Sequence, residues 1–560
     1  MAAATWGGRL VPYPAETATR YRAAGLWGTR PIAAEFRAIA ERYPDRDAVV
    51  TGAGAGRLSY RELDERTDRV GAGLAGLGLR PGEPVLFQVT NRLESVVAWY
   101  GVLKAGLVPV ATLAAHRAHE IGAISRRTGA AAHLVEAGTK NFDLVAFAVG
   151  QQAGHPTVRQ VLTIGAAPGA PGTRIEDLGT GIAADVARKT VDDIQARIDA
   201  DDVAVFQLSG GTTGVPKVIP RLHAEYWYNA REYARTWGWD ATTRTGHLIP
   251  VIHNAGVVCG LHGPHSVGGC LVLTSADLAE ALPVLAAQQI TDVLLGHVHY
   301  RAVLEPSFAP LARSLRTVVL SGAKVPPEVF ERLEQLGVWA GQLFGMGEGF
   351  FAVTRPGAPR LARLTTVGTP MSPLDEYQVL EVASEAQVDD GQVGELCCAG
   401  PYTLRGYFDA AEHNARAFTS DGFYRTGDLV AVRTIDGERY LSVEGRIKDV
   451  INRGGEKISA EEVEVLLVQH PDILAAAVIA MPDPRLGERA CAYLVAQQDP
   501  VPLASVQAHL SALGVAKFKW PERLEWVGEM PKTPIGKIDK KALHADITAK
   551  LQTEQAGQGR

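Results

Sequence analysis

The feature that most limits the fold is a recurring alternation. Short apolar runs rich in β-branched residues are separated by stretches of helical periodicity. The runs are Val85-Leu-Phe-Gln-Val89, Val108-Pro-Val-Ala111, Ala131-Ala-His-Leu-Val135, Gln160-Val-Leu-Thr-Ile164, Val203-Ala-Val-Phe-Gln-Leu208, Thr291-Asp-Val-Leu-Leu295 and Thr317-Val-Val-Leu-Ser321. A strand that is apolar on both faces must be covered on both, which is the condition of a mostly parallel β-α-β sheet. Between the runs, Pro31 to Arg42 sets Ile32, Phe36 and Ile39 on one helical face, and Arg92 to Leu107 reads as a helix ended by Gly106. After about residue 385 the texture changes to short strands and turns, as in Gly391-Gln-Val-Gly-Glu-Leu and Gly437-Glu-Arg-Tyr-Leu-Ser-Val. A third segment begins near Lys448. It holds a helical run from Ala460 to Gln469, strand-like runs at 475–481 and 490–495, a helix at 503–513 and a strand at 523–527. The expected class is α/β, with a separate compact α+β unit at the C-terminus.

Composition excludes several functions. The chain has 560 residues, 46% of them hydrophobic, enough for large cores. Its net charge of −6 offers no strongly basic field for nucleic acid. The five cysteines, at 259, 270, 397, 398 and 491, form no C-x-x-C pair. Free buried thiols in a reducing compartment are expected. No signal-peptide pattern and no membrane-length apolar run is present, so the expected location is the cytoplasm.

Strand 203–208 runs directly into Ser209-Gly-Gly-Thr-Thr-Gly-Val-Pro-Lys217. Successive small residues let backbone N–H groups converge on an anion, hydroxyls add donors and Lys217 adds charge. A flexible Gly-rich turn is the plain alternative. The spacing is not that of a Walker loop.

This string resembles the signature of the adenylate-forming superfamily of acyl-CoA synthetases, adenylation domains and luciferases. Four further motifs follow in that superfamily's order. They are Phe344-Gly-Met-Gly-Glu-Gly349, Tyr424-Arg-Thr-Gly-Asp428, Gly445-Arg-Ile-Lys-Asp-Val-Ile-Asn-Arg-Gly-Gly-Glu-Lys457 and Pro531-Lys-Thr-Pro-Ile-Gly-Lys537. The resemblance implies a large N-terminal domain, residues 1–447, of two parallel-type sheets flanked by helices, with a β-rich subdomain at 385–447. A small mobile α+β lid at 448–560 would follow. ATP and Mg²⁺ are the implied cofactors.

The resemblance also implies roles. Ser209, Gly210, Gly211, Thr212, Thr213 and Lys217 would hold ATP phosphates. Gly322, Ala323 and Lys324 would contact adenine, with Phe344, Gly345 and Met346 alongside. Asp428 would accept hydrogen bonds from the ribose hydroxyls, a task suited to an acceptor-only carboxylate. Arg446 would reach ribose or phosphate. Glu348 would hold Mg²⁺, which prefers hard oxygen ligands. Lys537 would bridge the carboxylate and the α-phosphate, and His253 joins it in the catalytic set. Lys448 would be the hinge between an adenylating pose and a thioester-forming pose. Each residue has a plainer alternative: a turn Asp, a loop Glu, a core Phe, or one lysine of a basic tail with Lys519, Lys532, Lys540 and Lys541.

Within the superfamily the sequence is most similar to stand-alone aryl-acid ligases of the 2,3-dihydroxybenzoate and salicylate type. Pro12-Tyr-Pro, Tyr21-Arg-Ala-Ala-Gly-Leu-Trp27, Val218-Ile-Pro-Arg-Leu-His223 and Pro370-Met-Ser-Pro-Leu-Asp-Glu376 carry this likeness. In those ligases an Asn matching Asn254, after His253, bonds the carboxylate and ortho-hydroxyl side of the acid. No acidic residue sits here to grip an α-amino group. Two departures add room: Ala255 replaces a Tyr and Gly347 replaces an Ala. Cys259 replaces the Ser of the dihydroxybenzoate enzymes, as in salicylate-type ones, which speaks against a 3-hydroxyl on the acid, and Phe351 replaces a small aliphatic residue, taking some room back or supplying a stacking wall. With Leu343 these residues form the expected substrate set. The expected acid is a larger ortho-hydroxy or heteroaromatic one, with a substituted salicylate, a naphthoate, a quinaldate or a quinoxaline acid as the candidates. The acceptor is expected to be coenzyme A or the phosphopantetheine of a carrier protein supplied in trans, since too little follows Lys541 for a carrier domain. Natural-product starter-unit supply is the implied context. The alternatives are a general acyl-CoA ligase on a non-aromatic acid, a luciferase-type oxidase and a non-catalytic nucleotide-binding homologue. The histidines at 253, 262, 265, 297 and 299 lack companion ligands at zinc spacing and read as pocket or loop residues.

Overall fold

In the computed structural model of the protein, residues 6–52, 56–139, 142–209, 216–296, 299–322, 325–447, 450–531 and 538–558 are described. The chain divides into two compact units. One comprises Met1–Ala114, Ser125–Leu208 and Val218–Gly445; the other comprises Ala115–Ile124, Ser209–Lys217 and Arg446–Arg560.

In the first unit the buried apolar runs become strands. One seven-stranded sheet takes the order 173–174, 160–164, 132–136, 84–88, 108–110, 203–208, 218–222. Its strands pair in parallel except the last two, which form an antiparallel hairpin. Strands Pro84–Gln88, Val108–Val110 and Ala132–Glu136 are buried along their whole length, as a sheet covered on both faces requires. A second sheet of nine strands has a parallel centre. Its order is 369–370, 350–353, 339–346, 317–321, 292–296, 244–247, 270–273, 47–51, 56–59. The outermost strands, at 350–353, 369–370 and 56–59, pair antiparallel. Two predominantly parallel sheets with helices between them match the expected α/β class.

The helices start where their sequences direct. Ser59 and Glu62 form a reciprocal capping box before helix Tyr60–Gly76. Helix Ile32–Arg42 buries Ile32, Ala33, Phe36 and Ala40, and Phe36 stacks on Tyr100 with ring centroids 4.1 Å apart. Gly106, at φ +70°, stops helix Leu93–Lys104.

The β-rich subdomain is a four-stranded sheet of Glu376–Leu380, Val393–Ala399, Tyr424–Ile435 and Glu438–Arg446. It begins earlier than residue 385. Glu376-Tyr-Gln-Val-Leu380 alternates polar and apolar residues, and its partial exposure hid it among loops.

The second unit carries a five-stranded sheet of 456–459, 450–453, 487–496, 473–483 and 523–526. Helices Ala460–Leu467, Leu503–Ala512 and Lys540–Gln558 belong to the same unit. Two lysines of the alternative basic-tail reading are already paired. Lys519 is buried, with Nζ 2.9 Å from both Glu462 oxygens, and Lys540 stands 2.7 Å from Glu464. No helix among the described residues is long and apolar enough to cross a membrane.

Candidate active site

The Gly-rich string connects in sequence the antiparallel strands 203–208 and 218–222. Its ends are stitched together. Ser209 N–H donates to the Lys217 carbonyl at 2.9 Å, and Lys217 N–H donates to Ser209 Oγ at 3.2 Å. Gly210, Gly211, Thr212 and Thr213 lie outside the described residues, as do Ala323, Lys324, Lys448 and Lys537. Gly322 closes strand Thr317–Ser321 at φ +98°. Arg446 ends strand Glu438–Arg446, and its side chain is outside the description.

Glu348 sits in the tight turn between strands Trp339–Met346 and Phe350–Val353. Three contacts fix the turn. Leu404 N–H donates to the Glu348 carbonyl at 2.8 Å. Thr403 Oγ1 donates to the Gly349 carbonyl at 2.6 Å. Gly349, at φ +92°, passes so near the Tyr402 carbonyl that a Cβ there would stand 1.7 Å from that oxygen. The half-buried Glu348 side chain then accepts the Tyr407 hydroxyl at 2.8 Å, and Tyr407 meets the Tyr424 hydroxyl at 2.7 Å. Burial, and next the Glu348 charge, push both phenols well above their ordinary range, so both stay protonated. Among the described residues the second Glu348 oxygen makes no hydrogen bond. A fixed carboxylate with free lone pairs fits a hard divalent cation such as Mg²⁺.

The loop that pins this turn is itself held by the N-terminal segment. Trp27 Nε1 donates to the Pro401 carbonyl at 2.8 Å and Tyr13 donates to the Thr403 carbonyl. Asp428 is 5% exposed and follows Gly427 at φ +72°. Its N–H donates to Thr426 Oγ1 at 3.0 Å. Arg425 of the same motif is tied 2.7 Å from Glu395.

Of the residues expected at the acid, His253, Asn254, Ala255 and Cys259 lie at the start of a helical segment, and Leu343, Gly347 and Phe351 lie on the hairpin 339–353. His253 is exposed, and its Nδ1 accepts the Ala255 N–H at 3.4 Å. Asn254 is buried and Ala255 half-buried. A π-helical turn over Gly256–His262 follows, a widened geometry frequent at functional sites. Cys259 within it is 1% exposed. Its thiol meets the Tyr233 hydroxyl, and burial drives its pKa far upward. Leu343 is buried, Phe344 and Met346 half-buried, and Gly345 exposed. Phe351 is 2% exposed and lies directly opposite Gly345 across the hairpin. A Cβ at Gly345 would come 2.7 Å from the Phe351 ring, which also meets Tyr402 edge-on at 6.2 Å. Phe351 therefore fills the space above a glycine. At Gly347 a Cβ would meet Ile219 Cδ1 at 3.1 Å, so the room gained there is small.

Sequence reasoning missed the polar layer behind Asn254. Arg221 is 1% exposed and forms a two-point ion pair with Glu225 at 2.8 and 2.9 Å. Its Nη1 also donates to Asn254 Oδ1 at 3.0 Å and to the Gly347 carbonyl at 3.1 Å. Tyr226 donates to the same Asn254 oxygen at 3.0 Å, and Gln207 supports Tyr226. The available signal was a charged Arg inside the apolar run Val218–Leu222, four residues before a Glu.

Two of the other histidines are core residues. His262 Nε2 accepts the Trp99 indole at 3.1 Å, and His265 bridges the Tyr100 hydroxyl and the Ala48 carbonyl. Burial lowers them to about 3 and about 4 respectively, leaving both neutral. His299 is buried, with Nδ1 accepting the Gly296 N–H at 3.1 Å. His297 is outside the described residues, among which no group of His, Cys, Asp and Glu could hold a metal ion as a cluster of three. A cavity of about 540 Å³ lies on the β-rich sheet, lined by Tyr377, Gln378, Val432 and Arg439 among others. Asp375 and Glu376 line it, but no residue of the five ordered motifs does.

The model of the AMP-binding enzyme family matches residues 36–408, and that of the AMP-binding enzyme C-terminal domain matches 462–537. The chain belongs to the AMP-binding enzyme family. A salicylyl-CoA synthase / salicylate adenylyltransferase of Streptomyces sp is 40% identical to this AMP-binding enzyme, over 98% of the chain and 99% of its own length. A 2-hydroxy-7-methoxy-5-methyl-1-naphthoate–CoA ligase of Streptomyces carzinostaticus is 37% identical, over 96% of each chain. The apo structure of MbtA from Mycobacterium smegmatis superposes with a TM-score of 0.72 at 37% identity, over 96% of this chain and 98% of that one.

Proposed function

We propose that the protein is an ATP-dependent aryl-acid ligase. A carboxylate oxygen attacks the α-phosphorus, forming the acyl–phosphate bond as the bond to pyrophosphate breaks. A thiolate sulfur then attacks the carbonyl carbon, forming the thioester as AMP leaves. The observation that carries this reading is full-length likeness, at 37–40% identity, to ligases named for ortho-hydroxy aromatic acids.

The chain's residues take the following parts. Glu348, aimed by Tyr407, would hold Mg²⁺, which neutralises phosphate charge. Asp428 accepts the ribose hydroxyls. The segment Ser209 to Lys217 receives the phosphates, with Arg446 and Lys537 supplying positive charge as bonds change. Lys448 serves as the hinge between the two half-reactions, and residues 448–560 act as the lid. Gly322, Ala323, Lys324 and Phe344 serve adenine, while His253, Asn254, Ala255, Cys259, Leu343, Gly347 and Phe351 serve the acid. Coenzyme A or a carrier-protein phosphopantetheine supplies the thiol. Ala255 favours an acid larger than one benzene ring, and the named naphthoate ligase is a relative that supports it.

Acid-dependent pyrophosphate exchange across monocyclic and bicyclic aryl acids tests this reading. A bicyclic ortho-substituted acid is expected to give the highest kcat/KM, and Lys537→Ala to abolish exchange. Salicylate turning over best would sink the enlarged pocket; exchange with aliphatic acids alone would sink the aryl-acid reading.

A further inference from the structure

The hydrogen bonds behind Asn254 run in one direction, which two unambiguous groups set. At one end the Ile252 carbonyl can only accept, so the Gln207 atom 3.1 Å from it is the amide nitrogen. That nitrogen also stands 3.0 Å from the Tyr226 hydroxyl and donates to it. Tyr226 is left to give its own proton to Asn254 Oδ1 at 3.0 Å. At the other end the Arg221 guanidinium has donors only, and its Nη1–H points at the same oxygen. Burial keeps the Tyr226 phenol protonated; burial works against the Arg221 charge, but the charge and hydrogen bonds of Glu225 outweigh it and raise its pKa. Two donors therefore meet at Oδ1. Turning the amide over would set its NH₂ against a guanidinium and a phenol proton in a dry layer, where Gln207, Arg221, Tyr226 and Asn254 are exposed by 2%, 1%, 0% and 5%. Asn254 Nδ2 is left with one long approach, 3.4 Å from the Met346 carbonyl.

We propose that Gln207, Tyr226 and Arg221 are positioning residues that lock the Asn254 amide with its NH₂ toward the acid, so that the site selects an acceptor atom ortho to the carboxylate. This rests on the aryl-acid reading above. A phenol oxygen qualifies, because its proton turns inward to the neighbouring carboxylate and leaves its lone pairs free. A ring nitrogen qualifies for the same reason. An ortho amino group does not, because it presents N–H to N–H and its lone pair is drawn into the ring.

Pyrophosphate exchange with 3-hydroxy-2-naphthoate, 3-amino-2-naphthoate and 2-naphthoate, and with the corresponding benzoates, tests the lock. The wild-type protein should favour the hydroxy over the amino acid by about tenfold or more in kcat/KM. Tyr226→Phe removes one oxygen and keeps the ring. It should raise KM for the hydroxy acid about fivefold, leave KM for ATP unchanged and narrow the hydroxy-to-amino ratio. In an Asn254→Ala background the same change should have no effect on the ratio, because the relay then has nothing to orient. Preference for the amino acid would overturn the proposal. So would a Tyr226→Phe effect of equal size with and without Asn254, which would make Tyr226 a packing residue. Activity with aliphatic acids alone would overturn the aryl reading and this proposal together.

Discussion

Removing the Tyr407 hydroxyl tests whether the Glu348 carboxylate works because it is held in place. The hydroxyl stands 2.8 Å from Glu348 Oε1 and 2.7 Å from the Tyr424 hydroxyl. Tyr407→Phe deletes a neutral donor to an ionised acceptor, a bond worth about 1.5–3 kcal/mol. Glu348 is only half-buried, so water restores part of that and the lower figure applies. About 1.5 kcal/mol is roughly a tenfold change in an equilibrium constant. The loss should appear where the position of the carboxylate matters. In pyrophosphate exchange measured against Mg²⁺, the half-saturating Mg²⁺ concentration should rise about tenfold, with KM for the acid unmoved. Tyr424→Phe leaves the Glu348 bond intact, so it should shift the Mg²⁺ curve by less than about threefold. A Tyr407→Phe protein with the wild-type Mg²⁺ curve would refute the reasoning. Glu348→Gln with unaltered Mg²⁺ dependence would remove Glu348 from the metal site altogether.

Two other perturbations follow from the same region. Gly349→Ala should destabilise the protein, because the backbone holds φ +92° and the new Cβ would stand 1.7 Å from the Tyr402 carbonyl. The positive φ alone costs about 1–2 kcal/mol, and the displaced 401–404 loop adds to it, so thermal unfolding should begin several degrees lower; an unchanged melting curve would contradict the close approach. Asp375 accepts Tyr402 OH at 2.6 Å and Ser372 N–H at 2.9 Å, and burial raises it from 3.8 to about 8. The folded state therefore binds this proton more tightly than the unfolded chain. Its contribution is complete below the unfolded value and is lost as pH rises through about 8. Asp375→Asn should flatten the fall in melting temperature between about pH 4 and 8; a slope as steep as that of the wild type would show that Asp375 is ionised in the fold.

The parts of the fold legible in the sequence are those where one local property settles the structure. Val203-Ala-Val-Phe-Gln-Leu208 could only be a covered strand, and it is one. Val218-Ile-Pro-Arg-Leu222 was harder, since a Pro and an Arg argue against a central strand; it lies at the edge of its sheet, and Glu225 neutralises the Arg. Family resemblance named Glu348, Asp428 and Asn254 as candidates, but not what holds them. Tyr407 lies 59 residues from the Glu348 it orients, and Arg221 lies 33 from Asn254. Such partners carry no periodicity and no spacing rule. Phe351 shows the same limit. The sequence allowed a wall of the acid pocket, whereas the register of one hairpin sets its ring over Gly345.

The N-terminal hold on the 401–404 loop also has a meaning in time. Tyr13 and Thr403 are 390 residues apart. At about 5–20 residues per second, the ribosome needs on the order of tens of seconds to deliver one after the other. Meanwhile Tyr13, Tyr21 and Trp27 have each other, with Trp27 in ring contact with Tyr13 at 4.9 Å and with Tyr21 at 5.2 Å. A small aromatic cluster close to the start of the chain can thus be ready early, as a docking point for the late-made loop. Completion of the turn that carries Glu348 then waits for synthesis well beyond residue 348, so a stalled chain would hold the whole Ser209–Lys217 string and still lack a finished Glu348 turn.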